Sequence, residues 1–72
     1  KIRLARFLLR LAEGEPSGTI FLPTREDMGN MLAVKIESIS RAVAEFNREG
    51  MIKKLAAYRF SIDVDMLQKI VH

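Results

Sequence analysis

The 72-residue sequence predicts a mostly helical α+β domain, and three observations carry that prediction. Apolar residues recur at helical spacing in four segments. Gly14, Pro16, Ser17 and Gly18 form the only breaker-rich stretch, separating the first of those segments from the rest. After Gly50 the pattern changes to the apolar–polar alternation of a β-hairpin. The 49% hydrophobic and 29% charged content is that of a chain that folds, not of a disordered one. A chain this short buries roughly 60% of its unfolded surface, which bounds it to one small core, so residues 1–72 are expected to form one domain. The sequence opens on Lys1 and not on methionine, which suggests a piece of something longer.

From Ile2 to Ala12, Leu4, Leu8 and Leu11 fall at i, i+4 and i+7, and Ile2, Ala5, Leu9 and Ala12 widen the stripe, so this segment is a helix. It ends by about Glu13. Thr19 to Leu22 is short, apolar and partly β-branched with Pro23 closing it, which predicts a brief strand. Thr24 then offers a capping hydroxyl with Asp27 three residues on, and a second helix starts at Arg25. Met28, Met31 and Leu32 are its expected buried face. Gly29 sits mid-helix, where glycine costs roughly 1 kcal/mol against alanine, so something must approach it closely.

A third helical pattern begins at Ile36 and persists to about Glu49, with Gly50 as its stop. Two short helices joined by a tight turn, with a small residue where they cross, make a helix-turn-helix. Met51 to Ile62 reads as the hairpin, with its turn expected at Leu55-Ala56-Ala57. Asp63 can cap a last helix whose Met66, Leu67, Ile70 and Val71 share one side. The methionines fit core filling.

At about 100° per residue, Ile39, Val43 and Phe46 of the third helix share a narrow arc flanked by Ala42. Glu37, Arg41, Ala44 and Arg48 cluster near the opposite pole, with Ser40 at the shoulder. Glu37 and Arg41 at i, i+4 could be an ordinary surface pair worth about 0.2–0.5 kcal/mol. On the second helix of a helix-turn-helix, however, the N-terminal part of the outer face enters the major groove. Arginine can grip guanine O6 and N7, glutamate can accept from the cytosine amino group, and serine can bond either base or phosphate. Ala44 keeps this face shallow, and Arg48 lies too far along for base edges.

These residues resemble the DNA-binding domains of the CRP/FNR superfamily of transcription regulators. The resemblance is carried by Thr24-Arg25-Glu26-Asp27-Met28-Gly29-Asn30 and Ile36-Glu37-Ser38-Ile39-Ser40-Arg41, and its spacing extends from the first helix through Gly50-Met51-Ile52. It implies a winged helix-turn-helix with a small β-hairpin wing, in which Glu37 and Arg41 are the principal base readers and Ser40 adds a third contact. Ile36 ahead of the glutamate is similar to the FNR branch, which implies a TTGAT-like half-site repeated as a palindrome. The family implies an N-terminal sensor and dimerisation domain outside these residues, which would make the protein a homodimer. Any effector, whether cyclic nucleotide, iron–sulfur cluster or haem, would bind there, and no cofactor is expected in this segment. Double-stranded DNA is the expected partner, RNA polymerase a further candidate, and the cytoplasm the expected compartment.

The sequence departs from the family at three places: Ala33 stands where the turn usually has glycine, Lys35 where a Ser or Thr cap is typical, and Leu55-Ala56-Ala57 lacks a glycine. A left-handed Ala33 would cost of order 1 kcal/mol, and the missing cap about 0.5–2 kcal/mol. Lys35 is also a candidate phosphate contact at the mouth of the groove. So are Thr24 and Arg25 at the start of the second helix, Arg48, and Lys53, Lys54 and Arg59 on the wing, with Tyr58 beside them. Each has an ordinary alternative as a helix cap or soluble surface.

The formal charge of +3 and pI near 9.7 suit nucleic acid without requiring it. With no cysteine, a single histidine, His72, at the end and no Gly-rich phosphate loop, the sequence lacks a credible nucleophile–base or zinc constellation, so an enzyme is not expected. Asp63 and Asp65 fit a cap and a first-turn charge. The apolar runs are broken by Arg3, Arg6 and Arg10, far short of the ~20 residues of a membrane span. Two other functions fit the same fold: a winged helix used for protein contact, and a nucleic-acid binder without sequence preference.

Overall fold

The computed structural model describes residues 1–71, which leaves His72 outside the described residues. The order is α1 (Ile2–Ala12), β1 (Thr19–Phe21), α2 (Arg25–Leu32), α3 (Ile36–Arg48), β2 (Ile52–Ala56), β3 (Arg59–Ile62) and α4 (Val64–Val71). This is the winged helix-turn-helix that the sequence predicts. No helix among the described residues is long and apolar enough to cross a membrane.

One core joins all the layers. Leu4, Ala5, Phe7 and Leu8 of α1 meet Ile20, Leu22, Met28, Ile39, Ala42, Val43, Phe46, Ile52 and Leu67. Fully burying a Leu, Ile or Phe contributes about 1.5–3 kcal/mol, so Leu8, Phe46 and Leu67, each 0% exposed, are among the main sources of stability. Two expected members of the buried faces are solvent-exposed instead, Met31 at 61% and Ile2 at 49%. Helix geometry gives the reason. On α2 the buried arc runs from Met28 through Leu32 to Gly29, and Met31 projects about 60° beyond its edge. Ile2 lies about 160° from Leu4, on the far side of α1.

The helix ends follow the sequence. Thr24 Oγ1 accepts from the Asp27 amide at 3.1 Å, and Asp63 Oδ1 from the Met66 amide at 3.1 Å. At the end of α3, Gly50 takes a φ of 79° while its amide donates to Asn47 O and that of Met51 to Phe46 O. Those paired bonds satisfy carbonyls that helix termination would otherwise strand, and only glycine takes that φ without strain.

The wing differs from expectation in extent and in its turn. The strand expected over Thr19 to Leu22 ends at Phe21, although the Leu22 amide still donates to Tyr58 O at 2.7 Å. It pairs antiparallel with β3, giving the order β1-β3-β2, so the hairpin carries a third strand. Leu55 and Ala56 belong to β2 and not to the turn. The register runs Lys54↔Phe60 and then Ala56↔Arg59, so Leu55 is an extra residue that bulges the strand. The turn is Ala57-Tyr58, and Tyr58 takes the positive φ of 62° where a glycine would be usual.

Candidate nucleic-acid interface

The helix-turn-helix is held by a glycine and a strained alanine. A β-carbon on Gly29 would lie 2.7 Å from Val34 O and 3.8 Å from Ile36 Cγ1, so the turn after α2 folds directly over the glycine. Ala33 ends α2 at φ 55°, ψ 44°, and the amides of Ala33 and Val34 both donate to Gly29 O. Lys35 then enters α3 in an extended conformation and its side chain accepts no capping bond. The first amides of α3 are left without a side-chain acceptor at the positive end of the helix dipole.

Burial of Ile39, Ala42, Val43 and Phe46 turns the opposite side of α3 to solvent. Glu37, Arg41, Ala44 and Arg48 are exposed there, and Ser40 is half-buried at the shoulder. Glu37 and Arg41 do not form the surface pair their spacing allows: the ion pair among the described residues is Lys1–Glu45. Both heads are therefore free of each other.

A groove of about 490 Å3 flanks this face, lined among others by Thr24, Arg25, Ala44, Asn47, Lys54 and Tyr58. It brings the start of α2, the middle of α3 and the hairpin turn together. The basic residues of the wing separate. Lys54 faces the groove, whereas Lys53, its neighbour along the strand, lines a crevice with Asp63 and Asp65 at the start of α4. Alternate residues of a strand face opposite sides, which accounts for the split. Arg59 lies outside the groove, its guanidinium 5.8 Å from the ring centroid of Phe21 across the β1–β3 pair. Lys35 and Arg48 are exposed at the two ends of α3. Asn47 was not singled out from the sequence; its position three residues beyond Ala44 on the same helix was the available signal.

Comparison with known proteins agrees with this geometry. The model of the Crp-like helix-turn-helix domain matches residues 2–70. The transcriptional regulatory protein btr of Bordetella pertussis is 40% identical over 57 residues, which are 71% of this chain and 24% of that protein. The structure of FixK2 from Bradyrhizobium japonicum superposes with a TM-score of 0.87 at 26% identity, over 99% of this chain and 37% of FixK2. A CRP-family transcriptional regulator of Thermus thermophilus matches with a TM-score of 0.78 at 28% identity, over 99% of this chain and 40% of that one. The CO-dependent transcription factor CooA of Carboxydothermus hydrogenoformans shares the fold, with a TM-score of 0.86 at 22% identity over 99% of this chain and 36% of CooA. The chain thus spans between a quarter and two fifths of the length of these relatives. With a family model covering residues 2–70, the chain belongs to the Crp-like helix-turn-helix domains, the DNA-binding domains of CRP/FNR-superfamily regulators.

Proposed function

We propose that this domain reads a palindromic, TTGAT-like site by laying the N-terminal half of α3 in the major groove. The observation that carries the proposal is the outer face of α3, where Glu37 and Arg41 are exposed and unpaired with each other and Ser40 stands beside them. Arg41 would grip a guanine through O6 and N7, Glu37 would accept from a cytosine amino group, and Ser40 would add a third contact. Thr24, Arg25, Lys35 and Lys54 would hold the phosphates that border the groove, and Arg48, Lys53 and Arg59 would add charge at longer range. The uncapped start of α3 beside Lys35 suits a phosphate oxygen better than it suits water.

In this reading the domain acts within a regulator that dimerises and senses its signal through an upstream domain, works in the cytoplasm and has RNA polymerase as a candidate partner. Fluorescence anisotropy against a duplex carrying TTGAT half-sites and against a scrambled duplex, at two salt concentrations, tests it. The expected result is a preference for the TTGAT duplex that Glu37→Ala and Arg41→Ala abolish. Equal affinity for both duplexes with a steep salt dependence would identify a binder without sequence preference. No binding to either would favour protein contact.

A further inference from the structure

The first turn of α1 reaches both helices of the reading unit. Arg3 Nη1 donates to the backbone oxygen of Leu32 at 3.3 Å, and Lys1 Nζ pairs with Glu45 Oε1 at 2.5 Å on α3. Leu32 is the last residue of α2, where carbonyls lack partners within the helix and the dipole favours a cation. The next residue is the left-handed Ala33, a conformation that strains any side chain with a β-carbon. The turn that sets α3 against α2 therefore gains from a hold outside itself. Helix α1 is fit to supply it, because Leu4, Ala5 and Leu8 seat it in the core.

We infer that Arg3 is a positioning residue for base reading. Its guanidinium ties the end of α2 to α1 and so sets the angle at which α3 meets DNA. Arg3 touches no base in this scheme and acts through Leu32 and the turn, and the inference rests on the major-groove reading of α3 given above.

Amide exchange and DNA discrimination, measured together, test it. Arg6→Ala is the control, since Arg6 is exposed on the same helix and carries the same charge. In Arg3→Ala the amides of Ala33 and Val34 should exchange faster while that of Phe46 does not. The TTGAT-over-scrambled affinity ratio should fall about twofold to tenfold, the range that the net contribution of one intramolecular hydrogen bond spans. Arg3→Lys should recover part of both changes, and Arg6→Ala should show neither. Unchanged exchange at Ala33 and Val34 overturns the tie whatever happens with DNA. Faster exchange with an undiminished ratio overturns the positioning role, and equal losses in Arg6→Ala reduce the effect to charge. If the parent chain shows no preference, base reading by α3 falls and the inference with it, while the exchange data still report on the tie. Should Arg3→Ala not fold, Arg3→Gln, which keeps a donor without the charge, is read in its place.

Discussion

The backbone oxygen of Val34 stands 2.7 Å from where a β-carbon on Gly29 would be. No side chain can enter that gap unless the backbone moves, because the obstacle is a carbonyl of the turn and not the end of a flexible group. Gly29→Val should therefore cost about 1–3 kcal/mol, the range for overpacking a close contact. For a domain of this size that lowers Tm by about 4–8 °C per kcal/mol. Thermal melts should show the loss before any change in base preference, and an unchanged Tm would refute the account.

Ala33 holds φ 55° with a β-carbon in place. Glycine there would relieve about 1–2 kcal/mol of left-handed strain and give back about 0.4–1 kcal/mol through the greater freedom of the unfolded chain. Ala33→Gly should be stabilising by up to about 1.6 kcal/mol and Ala33→Val destabilising, both read from urea unfolding midpoints. A destabilised glycine variant would mean the strain is relieved some other way.

Arg41 and Arg48 share the outer face of α3 but stand two turns apart, so their substitutions should differ in kind. Arg41→Ala should cost about 1–3 kcal/mol on the preferred site and relax discrimination at one guanine. Arg48→Ala should weaken binding to all sequences and make the salt dependence shallower by about one unit of slope. Anisotropy titrations on single-base variants of the site separate the two, and equal losses for Arg41→Ala on scrambled DNA would contradict base reading.

Lys35 sits at the uncapped start of α3. Lys35→Ser should supply the missing cap and stabilise the fold by about 0.5–2 kcal/mol, while losing a cation that would meet the DNA backbone. Raised Tm with weaker, less salt-dependent binding is the expected pair of results. If affinity and salt dependence both stay the same, Lys35 does not touch phosphate.

The Lys1–Glu45 pair links stability to pH at both ends of the scale. The hydrogen bond from Lys1 holds the Glu45 carboxyl below its usual range, and the same bond raises the Lys1 ammonium. A depressed carboxyl contributes stability above its unfolded value of about 4.3 and loses it as pH falls through the folded value. A raised ammonium contributes below its unfolded value of about 10.4 and loses it as pH rises through the folded one. Melts should show this contribution intact at neutral pH and fading toward both extremes. Glu45→Gln should flatten the acid side relative to the parent chain; identical profiles would remove the pair from the account.

Much of this protein was legible in local pattern. The helical periods of α1, α3 and α4, the caps at Thr24 and Asp63 and the stop at Gly50 depend on neighbours a few residues away, and the structure places them as expected. The outer face of α3 was equally legible, because burial of Ile39, Val43 and Phe46 determines what points the other way. The pairing of β1 with β3, the placing of Arg59 over Phe21 and the tie from Arg3 to Leu32, which bridges 29 residues, were decided by contacts between segments distant in sequence. The approach of Val34 O to Gly29 and the bulge at Leu55 instead come from the path of a turn, which apolar periodicity does not record. Periodicity records which side of an element is buried; it carries no record of which other element covers that side, and that is settled only when the core closes.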